Sequence, residues 1–213
     1  MRKFFVKICG ITRAEDADLA AGLGASALGF VFWSGSPRYI RPEAAREIVR
    51  RSASRVKSVG VFVDEPEEQV VRVMESVGLD VAQLHGHESP AYCRGLARLH
   101  PGGFEGASVI KAIGVEPGSQ IALDEFDTDV LILLDAQDPS RHGGTGQRVD
   151  WDSARQIAAS RPTILAGGLN AENVARAVEL VQPYGVDVSS GVESAPGLKD
   201  RERLRSFFEA LNG

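Results

Sequence analysis

"SVGVFVDEPEEQVVRVMESVGLDVAQLH", residues 58–85, sets a helical stretch between two short apolar runs. The runs Ser58 to Val63 and Val81 to His85 are rich in Val and Leu and read as strands. Between them "PEEQVVRVMESVG" opens on Pro and acidic residues and closes at Gly, the marks of a helix start and end. A strand, a helix and a second strand in such close succession predict parallel strands joined by a crossover helix.

The same unit recurs along the chain. Further runs are Phe5 to Cys9, Ala27 to Phe32, Val109 to Ile113, Val130 to Asp135, Thr163 to Ala166 and Val186 to Ser189. Helical stretches such as "AEDADLAAGLG", "PEAAREIVRRS" and "AENVARAVELV" lie between them. The runs start roughly 20 to 30 residues apart, enough for a strand, a helix and two short loops. Eight such pairs in 213 residues predict a single α/β domain over 1–213, a (β/α)8 TIM barrel near the lower size limit. An open doubly wound sheet is the alternative, because the sequence does not say whether the first strand meets the eighth.

Composition narrows the class. Hydrophobic residues make up 43% and charged residues 25%, enough apolar material for a large core and no sign of disorder. The net charge of -5 comes from dispersed groups, with no basic cluster to follow a phosphate backbone, so nucleic acid is not an expected partner. Cys9 and Cys93 make no disulfide framework, which suits a reducing, cytoplasmic setting. "MRKFFVKICG" is interrupted by Lys7 and does not read as a signal peptide, and no run has the length of a membrane span. "GLGASA", residues 22–27, matches a loose dinucleotide pattern, but it follows a helix and precedes a strand, the reverse of the order that phosphate binding requires.

Distinctive residues follow the strands, where α/β enzymes place their chemistry. "AGGLN" (166–170) and "DVSSGVES" (187–194) follow the last two strands, the usual phosphate position of barrels. Glycines there let backbone N–H groups approach a dianion, making Gly167, Gly168, Ser189, Ser190 and Gly191 candidate contacts, although tight turns alone would also explain them. Asp135 ends "VLILLD" on the same face as Leu133; an apolar approach favours a protonated carboxyl able to act as an acid, and a helix cap is the bland alternative. Cys9 shares a face with Phe5 and Lys7 and reads either as a small core residue or as a reacting group at the rim.

Lys7 is expected among inward side chains, where a buried cation needs a partner. Arg38 in "SPRYI" is a clamp for a carboxylate or phosphate, or a surface arginine. His85 in "QLHGHE" is structural or faces substrate, while His87 is expected to be exposed; two histidines without a third ligand are weak support for a metal. Asp187 is placed to bond a sugar hydroxyl or to cap the last loop, and Cys93 to pack a helix. The residues alone also allow a Schiff-base aldolase using Lys7, Lys57 or Lys111, and a non-catalytic binder of phosphorylated ligands.

Taken in order, "KICGIT" (7–12), "GFVF" with "SPR" (29–38), "VGVFV" (59–63), "QLHG" (83–86), "LLD" (133–135), "GGTG" (143–146), "DW" (150–151), "LAGGLN" (165–170) and "DVSSGVE" with "PGLKD" (187–200) resemble the phosphoribosylanthranilate isomerase family of tryptophan biosynthesis. The resemblance runs from about residue 6 to 208; Val149, where the family more often has Phe, departs from it. It implies a (β/α)8 barrel, an Amadori rearrangement of N-(5-phosphoribosyl)anthranilate and neither cofactor nor metal. It further implies Asp135 as general acid, Cys9 as general base, Arg38 on the anthranilate carboxylate, and the loops at 167–170, including Asn170, and 189–191 on the phosphate. His85 and Asp187 are expected to line the substrate site, and "GGTG" to form a lid. A phosphorylated small molecule is the expected partner, and the chain is expected to be a monomer or a homodimer.

Overall fold

In the computed structural model, residues 58–85 fold as the alternation predicts. Strand β3 spans Lys57–Phe62, helix α3 Glu67–Val77 and strand β4 Val81–Leu84. The helix has Glu67 and Glu68 in its first turn and ends where Gly78 takes a left-handed conformation, its N–H bonded to the Met74 carbonyl at 2.8 Å. Val70, Val73, Met74 and Val77 recur at helical spacing and are the residues it buries. The structure describes residues 4–52, 55–99, 102–104, 106–116, 123–136 and 149–212.

The remaining strands of the repeat are β1 (Phe5–Ile8), β2 (Ala27–Val31), β5 (Val109–Val115), β6 (Val130–Ala136), β7 (Thr163–Leu165) and β8 (Gly185–Val188). All pair in parallel, and β1 pairs with β8 from Phe5↔Gly185 to Ile8↔Val188, so the sheet closes and the open-sheet alternative is excluded. Helices α1 (Ala14–Leu23), α2 (Pro42–Ser52), α4 (Pro90–Leu99), α5 (Trp151–Ala158), α6 (Val174–Val181) and α7 (Arg201–Asn212) complete the outer layer with α3.

Two features depart from eight regular pairs. Among the described residues, the crossover from β5 to β6 holds a single 3-10 turn, Leu123–Glu125, rather than an α-helix. The loop after β8 carries a small antiparallel hairpin, β9 (Glu193–Ala195) and β10 (Leu198–Lys199).

Each barrel strand is buried on both faces, which explains why its run is nearly continuously apolar. Ile8, Leu28, Phe62 and Leu84 point outward into the layer shared with the helices. Phe5, Ala27, Val59, Ile110, Leu131, Leu133 and Ile164 fill the barrel interior. Phe5 and Leu133 are thus inward, and the alternation of a strand carries Cys9, two levels above Phe5, and Asp135, one level above Leu133, inward at the carboxyl rim.

Candidate active site

The rim is built from short steps beyond the strands. Cys9 follows β1, its N–H held by the Val188 carbonyl at 2.9 Å, and Gly10 turns the chain away with φ 76°. Two residues below Cys9 on the same face, Lys7 is fully buried and its ammonium donates to Asp187 Oδ1 at 3.0 Å. Register Lys7↔Asp187 across β1 and β8 sets that pair. Burial works to lower Lys7, but the Asp187 carboxylate and Cys9 outweigh it and hold Lys7 above the ordinary lysine value. Burial also pushes the Cys9 thiol up, with Lys7 and Lys199 opposing and Asp187 adding to the rise. Asp187 interacts electrostatically with Asp135 and His85 as well, so it connects the Cys9 side of the rim to the Asp135 side.

Asp135 is the penultimate residue of β6, three strands from β1 around the ring, and is 8% exposed. Its Oδ1 accepts the Ala136 N–H at 2.8 Å, and His85 Nε2 lies 3.3 Å from Oδ2. His85 sits at the end of β4, with its N–H on the Phe62 carbonyl at 2.8 Å. Gln83 Nε2 donates to its Nδ1 at 3.0 Å, so a neutral imidazole carries its proton on Nε2, facing Asp135. The segment after β4 is locked from below: Lys111 on β5 donates to the Gly86 carbonyl at 2.6 Å and to Glu88 at 2.8 Å, and Glu88 accepts the Gly86 and Asp64 N–H groups. His85 is therefore held in place against the Asp135 carboxyl.

Arg38 is not a surface arginine. It is buried, and its Nε and Nη2 grip both oxygens of Glu193 at 2.7–3.1 Å. Glu193 also accepts Lys199 Nζ at 2.8 Å and the Gly197 N–H at 3.2 Å. Lys199, itself buried, donates to the carbonyls of Cys9 (2.5 Å) and Ser189 (3.2 Å). Burial works to raise the Glu193 carboxyl, yet Arg38 and Lys199 outweigh it and leave it below its ordinary value. One buried cluster on the hairpin thus ties the ends of β1, β2 and β8. Sequence reasoning missed Glu193 and Lys199; the available signal was "DVSSGVE" with "PGLKD", which placed a carboxylate and a lysine around a Pro-Gly turn.

The candidate phosphate loops lie against each other. Gly167 and Gly168 have positive φ, and at Gly191 any side chain would strike the Leu169 carbonyl, so the second loop packs on the backbone of the first. Ser190 and Gly191 open a 3-10 turn, Ser190–Val192. The buried Ser189 hydroxyl has no hydrogen-bond partner among the described residues. Asn170 Oδ1 accepts the N–H groups of Glu172 and Asn173, which turns the chain into α6 and commits that oxygen away from a ligand.

Other candidates are accounted for. His87 is exposed and its Nδ1 lies 3.0 Å from Asp64 Oδ2. Cys93 is buried in α4 within the core. Lys57 begins β3 at the opposite end of the barrel and pairs with Asp80 at 2.7 Å. Val149 is buried among core residues. Among the described residues no group of three or more His, Cys, Asp and Glu side chains could hold a metal, and no helix is long and apolar enough to cross a membrane. The "GGTG" segment lies outside the described residues.

A thiol and a carboxyl at the carboxyl rim of a closed barrel, with glycine and serine loops after the last two strands, define a (β/α)8-barrel enzyme. Residues 6–210 match the family model of N-(5'phosphoribosyl)anthranilate (PRA) isomerase, and the chain belongs to that family. It is 52% identical over 203 residues to the N-(5'-phosphoribosyl)anthranilate isomerase of Geobacter sp. (strain M21), covering 95% of each chain. The crystal structure of phosphoribosyl anthranilate isomerase from Thermus thermophilus superposes with a TM-score of 0.85 at 44% identity, covering 98% of each chain. A phosphoribosyl anthranilate isomerase crystallised with reduced 1-(o-carboxyphenylamino)-1-deoxyribulose 5-phosphate gives 0.84 at 40% identity, covering 99% of this chain and 100% of that one.

Proposed function

We propose that Cys9 and Asp135 carry out the family's reaction, the Amadori rearrangement of N-(5-phosphoribosyl)anthranilate to 1-(2-carboxyphenylamino)-1-deoxyribulose 5-phosphate in tryptophan biosynthesis. Asp135 protonates the furanose ring oxygen as the bond from C1 to that oxygen breaks and the anilino nitrogen lone pair forms an iminium. The carboxylate left behind is stabilised by the Ala136 N–H and the His85 Nε2 proton. Cys9, as thiolate, then removes the proton from C2, and the resulting enolamine tautomerises to the ketone.

The remaining groups orient the substrate. Arg38, aligned by Glu193, takes the anthranilate carboxylate. The cluster of Val31, Val61 and Trp33 beside Cys9 gives the aromatic ring an apolar surface. Gly167, Gly168, Ser189, Ser190 and Gly191 hold the phosphate, and Asp187 bonds a sugar hydroxyl between the two reacting groups. All these residues come from one chain, so the site is complete in a monomer and in a homodimer. Both cysteines are free, which suits work in the cytoplasm.

The observation that carries this reading is the placement of Cys9 and Asp135 three strands apart on one rim, with Asp187 coupled to both sides. Loss of substrate fluorescence tests it. Cys9→Ala and Asp135→Asn should each lower kcat by roughly 100-fold or more while still binding product. Near-parental turnover in either variant removes that residue from its role. A Schiff-base aldolase is the competing chemistry, yet Lys7, Lys57 and Lys111 each sit against a carboxylate. Borohydride with substrate present should label none of them.

A further inference from the structure

Lys7 has no part in the chemistry written above, yet its side chain is buried without any exposure, and it lies directly beneath the base. Its ammonium has three protons, and Asp187 Oδ1 accepts one at 3.0 Å. Gly29 on β2 shows what else lies beside it. A methyl group built on Gly29 would lie 2.8 Å from Cys9 Sγ and 2.9 Å from Lys7 Nζ, so thiol and ammonium press against the same point of the neighbouring strand. The absence of a side chain at position 29 is what lets the two polar heads occupy one niche.

We propose that Lys7 is a positioning residue for the base: its ammonium, anchored by Asp187, faces Cys9 Sγ across the Gly29 niche and favours loss of the sulfur's proton over what burial alone would allow. The other charged groups around Cys9 do not replace it. Asp187 from β8 opposes the thiolate, and Lys199 from β10 directs its ammonium to the Cys9 carbonyl, Ser189 carbonyl and Glu193 rather than to the sulfur. Arg38, beside Gly10, is gripped by Glu193, and β2 (ALGFV) holds no charged residue. Lys7 keeps its protons throughout; the thiolate takes the C2 proton and becomes a thiol. A cation within about 4–6 Å lowers the midpoint of an acid by roughly 1–3 pH units, enough to offset part of the rise that burial imposes on Cys9.

The test is site-resolved alkylation of the full chain with iodoacetamide across pH, read by peptide mass spectrometry so that Cys9 and Cys93 are separated. Lys7→Met, close in length and uncharged, should move the Cys9 midpoint up by about one pH unit or more, and kcat/KM near neutrality should fall about tenfold and recover as pH rises. Asp187→Asn should move the midpoint down, because it removes the opposing charge and leaves the ammonium to the sulfur. An unmoved midpoint in Lys7→Met, or the same direction of shift in both variants, overturns the proposal. Should Lys7→Met not fold, Asp187→Asn decides alone, and an unmoved or raised midpoint counts against it. The inference rests on Cys9 being the base, but alkylation does not depend on turnover. A Cys9→Ala enzyme that stayed active would sink the base assignment and leave the measured midpoints standing.

Discussion

Arg38 and Glu193 form a buried bidentate pair, with Arg38 Nη2 2.7 Å and Nε 3.0–3.1 Å from the carboxylate. One edge of the guanidinium, Nε with Nη2, is thereby fixed and the direction of its remaining N–H groups is set, which is how a flexible arginine becomes an oriented receptor. Glu193→Gln keeps the shape but leaves Arg38 and Lys199 facing a neutral amide. We expect KM to rise about tenfold or more with a smaller change in kcat, and stability to fall by roughly 2–4 kcal/mol. Steady-state kinetics and urea unfolding check both. A product analogue lacking the carboxylate should bind parent and variant alike, whereas the carboxylate-bearing product should discriminate between them.

Ser189 gives a prediction of the opposite kind. Its hydroxyl is buried and finds no partner among the described residues, a cost of about 1–3 kcal/mol if nothing satisfies it. A phosphate oxygen supplies the missing partner. Ser189→Ala should therefore leave thermal stability unchanged or slightly raised, while the inhibition constant of inorganic phosphate rises by roughly tenfold. A variant that loses stability and keeps phosphate affinity would show that the hydroxyl serves the fold.

How much of this was legible in the chain depends on the range of the interaction. Strand runs such as Val130 to Asp135 announce themselves because burial on both faces demands continuous apolar residues, and Asp135 stands out as the polar residue that ends one. Closure was not legible, since the Phe5↔Gly185 pairing joins residues at the two ends of the sequence. Nor was the Glu193 cluster: a lone glutamate between Val192 and Ser194 looks like any surface carboxylate until Arg38 and Lys199 meet it. The 3-10 turn after β5 and the hairpin after β8 share that limit, because short loops carry little periodicity. Asn170 carries a local role that its place in a glycine loop hid: its Oδ1 accepts the backbone N–H groups of Glu172 and Asn173.

Asp80 predicts a dependence on pH remote from the site. It accepts Lys57 Nζ at 2.7 Å and the Ser58 N–H and hydroxyl at 2.9 and 2.8 Å, stitching the loop before β4 to the start of β3. Burial works to raise its carboxyl, but Lys57 and Ser58 outweigh it and hold the group below its ordinary value. Its stabilisation is then complete above the ordinary carboxylate range and disappears as pH falls through the lowered value. Since both side chains of the ion pair are partly exposed and screened, Asp80→Asn should cost only about 0.5–1 kcal/mol at pH 7. In denaturant titrations the gap between parent and variant should close on acidification; a gap that persists at acid pH would assign the loss to hydrogen bonds alone.

One substitution at two glycines should separate packing from propensity. At Gly22, in the last part of α1, nothing lies within 4 Å of an added methyl group, and Gly22→Ala should stabilise the protein by about 0.5–1 kcal/mol with kinetics unchanged. At Gly29 the same methyl group would lie 2.8 Å from Cys9 Sγ, 2.9 Å from Lys7 Nζ and 3.1 Å from Cys9 Cα. Lys7 is enclosed on all sides and the Cys9 backbone is fixed by Val188, so the strain falls on the thiol and ammonium. Gly29→Ala should cost roughly 1–3 kcal/mol and lower kcat about tenfold or more, with the Cys9 alkylation midpoint shifted upward as the two heads separate. A Gly29→Ala enzyme of lowered stability but parental kcat and midpoint would show that the niche serves packing alone.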